Sequence, residues 1–289
     1  MPKYHEPTIS HVSHVQLNTL MLEKLSDFYQ QVIGLKVLNH DTDLVQLTAD
    51  GFTPLVTLVY SKDFIPKPGG RTGLYHMALL MPDRSDLGLF LKHLQAVSYP
   101  LIGASHHGVS EALYLEDPEG NGIEVYADTP DNSWKRHEDH PEQLDMVTRR
   151  LDLDSLLKAG HDQIWSGAPA DMVMGHIHLH VADLEKAHIF YDALGFNMVQ
   201  TIPGQATFVS AGGYHHHIGF NVWNGKGAPP PPKNATGMSF FTLLFPDEET
   251  LENAMKNASA IGYEAQESTT GIYLHDPSMN LIQCRVADV

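Results

Sequence analysis

Two stretches of this chain follow the same pattern, and they decide its fold. They read "HVQLNTLMLEKLSDFYQQVIGLKVL" at residues 14–38 and "HIHLHVADLEKAHIFYDALGFNMV" at residues 176–199. Each begins with a histidine on a predicted strand, continues into an amphipathic helix that ends in Phe-Tyr, and reaches a glycine before the next strand. Repetition of this kind indicates that the chain is built from structural modules.

A second pair of stretches matches in the same way. Residues 76–94 and 240–258 each read as a strand, a Pro-Asp pair and a helix, and they lead to the parallel phrases "YLEDPEGNGIEVY" at 114–126 and "YLHDPSMNLIQCR" at 273–285. The chain therefore contains four units, each a strand, a helix and about three further strands separated by Gly, Pro and Asp turns. We interpret each unit as a βαβββ module.

One such module cannot cover both faces of its own short sheet. We therefore predict an α+β protein in which four modules are paired into two domains, each a curved mixed sheet that encloses a cleft, with helices outside. The predicted boundaries are an N-terminal domain at 1–130, a linker with a helix at 131–172 and a C-terminal domain at 173–289. The Pro/Gly-rich connectors at 65–73 and 225–237 suit exposed crossovers between modules.

Composition narrows the class of partner. The chain has 289 residues, 42% of them apolar and 18% charged, as is ordinary for a globular protein. A net charge of -17 disfavours nucleic-acid phosphate and anionic membranes as partners. No apolar run approaches a membrane span and no leader pattern is evident, so we expect a cytoplasmic protein. The single cysteine, Cys284, cannot supply a thiolate cluster, and any metal must be bound by nitrogen and oxygen.

Aligning the modules makes the first and last strands of each comparable. In the first half these positions hold His14, Thr57, His76 and Glu124, and in the second half His176, Gly219, Phe240 and Gln283. Two histidines and one carboxylate facing a common cleft are what a divalent iron site with free coordination positions requires. The sequence thus predicts a metal site in the first half and a degenerate site in the second, which has no carboxylate.

The stretch "HGVSEALYLEDPEGNGIE", residues 107–124, carries a family resemblance. It resembles the signature of the extradiol, catechol 2,3-dioxygenase-like members of the vicinal oxygen chelate superfamily. The signature positions fall on His107, Tyr114, Asp117, Gly120 and Glu124. The four-module pattern extends the resemblance over nearly the whole chain.

The resemblance implies an enzyme of aromatic compound degradation that cleaves the ring of catechol or a substituted catechol with O2. It implies His14, His76 and Glu124 as ligands of Fe(II), with Mn(II) as an alternative. It further implies His107 as the acid and base and Tyr114 as a hydrogen-bond donor near the substrate. The chain departs from the family in its N-terminal metal site and in Thr57, which stands where related enzymes place an acid/base histidine.

Two other functions fit the same fold. A glyoxalase-type isomerase or lyase would need a fourth protein ligand, typically Glu, at the position held by Thr57. A metal-free protein that binds a flat small molecule would need neither His76 nor Glu124. The histidines at 215–217 and at 176–180 could bind a second metal, but no carboxylate accompanies them at the matching positions of the modules. We therefore interpret them as hydrogen-bonding residues between domains or along the cleft. Homo-oligomer formation is left open.

Overall fold

The computed structural model describes residues 2–160 and 163–287, and it contains the four modules that the repeats predict. Module one consists of β1 (His11–Thr19), α1 (Leu22–Phe28), β2 (Lys36–Asp41), β3 (Leu44–Thr48) and β4 (Pro54–Tyr60). Module two consists of β5 (Gly73–Leu80), α2 (Arg84–Ala96), β6 (Gly103–His106), β7 (Ser110–Glu116) and β8 (Gly122–Asp128). The linker contributes β9 (Arg149–Arg150) and α3 (Leu153–Ala159).

The second half repeats this order. Module three consists of β10 (Val173–His180), α4 (Leu184–Ala193), β11 (Asn197–Ile202), β12 (Ala206–Ser210) and β13 (Ile218–Asn221). Module four consists of β14 (Gly237–Phe245), α5 (Glu248–Ala260), β15 (Gln266–Ser268), β16 (Gly271–His275) and β17 (Leu281–Val286). Each module helix packs against strands of its own module, and the predicted α+β class is confirmed.

Three of the module helices begin at an aspartate. The carboxylates of Asp83, Asp183 and Asp247 accept hydrogen bonds from backbone N–H groups of the first helical turn, at 2.7 to 3.1 Å. These bonds satisfy donors that a helix start otherwise leaves unpaired. Among the described helices, none has the length and apolar character to cross a bilayer.

The modules pair in an order that differs from the expected one. An eight-stranded sheet has the order β15-β16-β17-β14-β1-β4-β3-β2 and joins module four to module one. A nine-stranded sheet has the order β11-β12-β13-β10-β5-β8-β7-β6-β9 and joins module three to module two. Each sheet therefore takes one module from either half of the chain, and neither segment 1–130 nor segment 173–289 forms a sheet of its own.

The physical reason lies in the first strand of each module. Within module one, β1 hydrogen-bonds to β4 along one edge, and its other edge is covered by β14 running antiparallel. In the same way β5 pairs with β8 on one side and with β10 on the other. Without a partner on this edge, the first strand of each module would leave a row of backbone N–H and C=O groups unpaired. Because all four modules present the same kind of edge, local sequence does not specify which module supplies the partner strand.

Two buried tyrosines hold the sheets together. The Tyr29 hydroxyl of module one donates to the Asp117 carboxylate of module two at 3.2 Å, and the Tyr191 hydroxyl of module three donates to Asp276 of module four at 3.1 Å. Each aspartate also accepts two backbone N–H groups in the turn before the last strand of its module. The repeated Asp-Pro phrase thus fixes a turn and a contact between the sheets.

The linker covers part of the cleft of the nine-stranded sheet. Leu144 N donates to Val199 O of β11 at 2.8 Å, and Val147 N donates to His107 O beside β7 at 2.9 Å. The segment 144–148 therefore spans from one edge region of the sheet to the other, and Met146 and Val147 line the cavity beneath it.

Candidate metal centre

Three buried side chains converge at the centre of the nine-stranded sheet. His76 lies on β5, Glu124 on β8 and His176 on β10. Glu124 Oε2 lies 3.1 Å from His76 Nε2 and 3.3 Å from His176 Nε2, and the two nitrogens are 3.4 Å apart. The side chains come together because β5 hydrogen-bonds to β8 on one side and β10 on the other.

The charge balance of this cluster suits a divalent cation. Burial acts to raise the pKa of Glu124, but electrostatic attraction to the protonated forms of His176 and His76 and the hydrogen bonds from these rings outweigh it and hold the pKa well below the usual value. Burial lowers the pKa of His176 to about 4. Glu124 is therefore anionic and His176 neutral at neutral pH, and their facing lone pairs form a two-nitrogen, one-oxygen donor set. All three ligand atoms lie within 4.8 Å of one another.

The structure separates His14 from the other two predicted ligands. His14 lies on β1 of the eight-stranded sheet, where its Nε2 is 2.8 Å from Thr57 Oγ1 and its Nδ1 is 3.3 Å from Thr242 Oγ1. The prediction of His14 as third ligand is therefore wrong for the cluster seen here. The prediction assumes that modules one and two share a sheet, whereas in the structure module two pairs with module three.

His176 takes the third position, and sequence reasoning missed it. It occupies the same place in its repeat as His14, so the type of position was predicted but the module was not. The sequence offered no signal that separates the two histidines, because modules one and two would unite His14 with His76 and Glu124. Modules two and three unite His176 with the same two residues, so either pairing supplies two imidazoles and one carboxylate.

A cavity of about 810 Å³ opens beside the cluster, and both predicted catalytic residues line it. His107 Nδ1 is 2.9 Å from Val147 O, and because a carbonyl only accepts, this nitrogen carries the proton. In neutral His107 the other nitrogen, Nε2, then accepts from the Tyr114 hydroxyl at 2.8 Å. Burial raises the pKa of Tyr114 well above its ordinary range, and the charge of Glu124 raises it further, so Tyr114 remains a phenol.

Two more histidines face this cavity. His178 is buried, and its Nε2 has no hydrogen-bond partner among the described residues. Burial lowers the pKa of His178 and of His216 well below the usual value, so both rings are neutral. The ring centroids of His216 and His176 are 4.1 Å apart. The sequence signal for both was present, since both belong to histidine clusters interpreted as lining the cleft.

The protonation of His216 follows from the groups behind it. Asp128 Oδ1 is 2.9 Å from His215 Nε2, so this nitrogen donates to the carboxylate. With His215 neutral, its Nδ1 accepts from His216 Nδ1 at 2.8 Å. The remaining nitrogen of His216, Nε2, is then left unprotonated. His217 belongs elsewhere, since its Nε2 bonds to Tyr4 O at 3.0 Å.

Comparisons with known proteins agree with this fold. Residues 11–125 and 173–284 match the model of the Glyoxalase/Bleomycin resistance protein/Dioxygenase superfamily. Over 281 residues the chain is 42% identical to a catechol-2,3-dioxygenase of Bacillus subtilis strain 168, with 96% of each chain covered. Over 125 residues it is 29% identical to a biphenyl-2,3-diol 1,2-dioxygenase 2 of Rhodococcus globerulus, covering 42% of this chain and 66% of that one.

The fold is also similar to that of a solved structure. Glyoxalase I from Zea mays superposes with a TM-score of 0.59 at 16% identity, covering 95% of this chain and 92% of the other. At this level of identity the similarity concerns the fold alone.

Proposed function

Since this chain belongs to the Glyoxalase/Bleomycin resistance protein/Dioxygenase superfamily, we propose that it is an extradiol dioxygenase that cleaves the ring of catechol or a substituted catechol with O2. The observation that carries this proposal is the buried cluster of His76, Glu124 and His176 at the wall of a cavity of about 810 Å³. The 42% identity to a protein named catechol-2,3-dioxygenase supports the reaction type. We propose Fe(II) as the metal, with Mn(II) as the alternative.

The three donors leave other coordination positions free. When bound, Fe(II) supplies adjacent positions for a diol and for O2 and a path for electrons between them. The carboxylate and two neutral imidazoles hold one negative charge against the metal, which leaves net positive charge to favour an ionised diol. The position equivalent to Glu124 in module three is Gly219, which has no side chain to offer as a fourth ligand. This favours the dioxygenase over a glyoxalase-type isomerase or lyase.

The residues of the cavity wall provide a route for the substrate proton. In the resting state Tyr114 donates its hydroxyl proton toward His107 Nε2, which leaves the Tyr114 oxygen as an acceptor on the cavity side. A diol hydroxyl can pass its proton to this oxygen while the Tyr114 proton moves to His107 Nε2. His107 then holds two protons, and its Nδ1–H still donates a hydrogen bond to Val147 O. The reverse transfer returns the proton to the ring-opened product.

His178 and His216 complete the wall around the substrate. The Nε2 of His178 is buried without a partner among the described residues, and His216 carries an unprotonated Nε2. A metal-free binding protein would have no use for an anionic carboxylate buried between two imidazoles, because burying an uncompensated charge is costly. The cytoplasmic location and the exclusion of nucleic-acid and membrane partners stay predictions from the composition.

The test is an oxygen-electrode assay of Fe(II)-loaded protein with catechol, together with the absorbance of the yellow ring-opened product. We expect Glu124→Ala and His176→Ala each to lose activity by about a hundredfold or more and to retain less iron, because each removes one of three ligands. His14→Gln is the matched control, and we expect its activity to stay within about threefold of wild type since His14 lies outside the cluster.

Two results would contradict the assignment. Undiminished turnover in Glu124→Ala would exclude this cluster as the reaction centre. Full activity in His176→Ala with loss in His14→Gln would restore the ligand set expected from the sequence.

A further inference from the structure

Lys67 is carried on a connector that is fixed above the cavity. The two Pro/Gly-rich connectors run beside each other, with Ile65 N donating to Asn234 O at 2.9 Å and Thr236 N donating to Ile65 O at 2.8 Å. Two residues later, Lys67 N donates to Thr236 Oγ1 at 3.2 Å. The backbone of Lys67 is therefore held at the rim by bonds to a connector from the other half of the chain.

The side chain of Lys67 lies in a slot formed by two glycines. A Cβ atom at Gly73 would lie 2.8 Å from Lys67 Nζ, and a Cβ at Gly237 would lie 3.5 Å from Lys67 Cδ. Both glycines have positive φ, 123° and 98°, which other residues rarely adopt. The chain thus leaves space for the lysine at two positions where a side chain would be strained, and Lys67 is one of the residues that line the cavity.

This ammonium has no partner among the described residues. It is half-buried, and among the described residues that line the cavity it is the single Lys or Arg. Burial lowers the pKa of Lys67, and no nearby carboxylate opposes that effect. Glu116, Glu119 and Glu124 line the same cavity, and none of them forms an ion pair with Lys67. Glu124 is engaged by two histidines, and Glu119 Oε1 accepts from Leu20 N at 3.1 Å while its Oε2 has no partner among the described residues. Partial burial of an unpaired cation costs free energy, which a bound anion would recover.

Aromatic rings connect Lys67 to the metal cluster. The Tyr75 ring centroid lies 5.0 Å from that of His76 and 5.1 Å from that of His180. Burial lowers the pKa of His180, and the charge of Lys67 lowers it further, which indicates that the two side chains lie close together. Trp223, with its centroid 5.1 Å from that of Tyr75, adds to this wall. A flat apolar group could lie along these rings between the cluster and the ammonium.

We propose that Lys67 forms an anion subsite, and that the substrate is a catechol carrying a carboxylate, whose diol lies at the cluster and whose carboxylate pairs with Lys67. This inference rests on the proposed dioxygenase function, which it deepens by naming the substrate class. Because the net charge of the protein is -17, its overall field repels anions, and an anionic substrate needs a local cation such as Lys67 to bind. Pairing an ammonium with a carboxylate gives a charge-assisted hydrogen bond.

The first experiment compares a charged substrate with its neutral analogue. We would measure kcat/KM of Fe(II)-loaded protein for 3,4-dihydroxyphenylacetate and for its methyl ester. We expect the wild type to prefer the acid, and Lys67→Met to lower kcat/KM for the acid by about tenfold to a hundredfold, chiefly through KM, while the ester changes less than about threefold. Lys67→Arg should retain most of the preference. Lys62→Met, which changes an exposed lysine just before the connector, should retain all of it.

The second experiment does not depend on turnover. Calorimetry under argon with the Fe(II)-loaded protein would give Kd for the acid and the ester in the wild type and in Lys67→Met. An acid-to-ester ratio that is the same in both proteins, or no preference for the acid in the wild type, would overturn the subsite. If no diol is cleaved but Lys67→Met still loses affinity for the acid, the dioxygenase proposal fails and the anion subsite stands.

Discussion

Nine of the 19 histidines of this chain are buried in the part that the structure describes. His5 is an example outside the residues that line the cavity. Its Nε2 donates to Gly175 O at 2.7 Å, next to the ligand His176, and its Nδ1 is buried without a partner. Burial lowers the pKa of His5 to about 3. Because protonation of the buried His5 ring is unfavourable, the stability of the fold next to the metal centre depends on pH.

The pH dependence of His5 has a definite sign. Its folded pKa lies below the ordinary 6.5, so its contribution to stability is present above pH 6.5 and is lost as pH falls toward 3. Between pH 7 and pH 5 we expect this one residue to remove about 2 kcal/mol from the free energy of unfolding. His5→Gln should reduce the loss by that amount in urea titrations, whereas His40→Gln, at an exposed position, should leave it unchanged. Equal losses in all three proteins would contradict the assignment.

At the scale of elements, the chain repeats one device in both halves. In each half, a tyrosine near the end of the module helix donates a hydrogen bond to the aspartate of an Asp-Pro turn in the other sheet. The two pairs are Tyr29–Asp117 and Tyr191–Asp276. Sequence comparison found both members of each pair as repeated letters. It did not find the bonds, because each joins modules that lie in different sheets.

The two hydrogen bonds between the sheets can be tested with a matched pair of substitutions. We expect Tyr29→Phe and Tyr191→Phe each to lower the free energy of unfolding by about 1 kcal/mol, since each removes one buried hydrogen bond and leaves the ring in place. The double variant should lose about the sum, because the two bonds share no partner. Chemical denaturation of the protein without Fe(II) would measure these losses. A Tyr→Phe variant as stable as the wild type would show that the hydrogen bond makes no net contribution to the free energy of unfolding.

At the scale of the whole molecule, the metal centre requires both halves of the chain. His76 and Glu124 come from the first half and His176 from the second, and each sheet is joined at its centre by an antiparallel pair of strands, β1 with β14 and β5 with β10. Division of the chain in the linker would therefore separate the metal ligands and also the two modules of each sheet.

Expression of the halves as separate chains tests this arrangement. Residues 1–130 alone carry two ligands, and we expect them to bind Fe(II) at least about tenfold more weakly than the whole chain by calorimetry. Co-expressed halves should reassemble and regain one equivalent of Fe(II). Binding of Fe(II) by residues 1–130 alone with the affinity of the whole chain would indicate instead that His14 completes the site.

The sequence by itself determined the modules, their helix starts and Asp-Pro turns, and the positions His76 and Glu124 on first and last strands. These features depend on contacts within about one module, so neighbouring residues specify them. The third ligand depended on which module lies beside module two, and this was decided by the tertiary structure. All four modules offer a similar strand edge, and only the packing of the whole chain places β10, and with it His176, against β5.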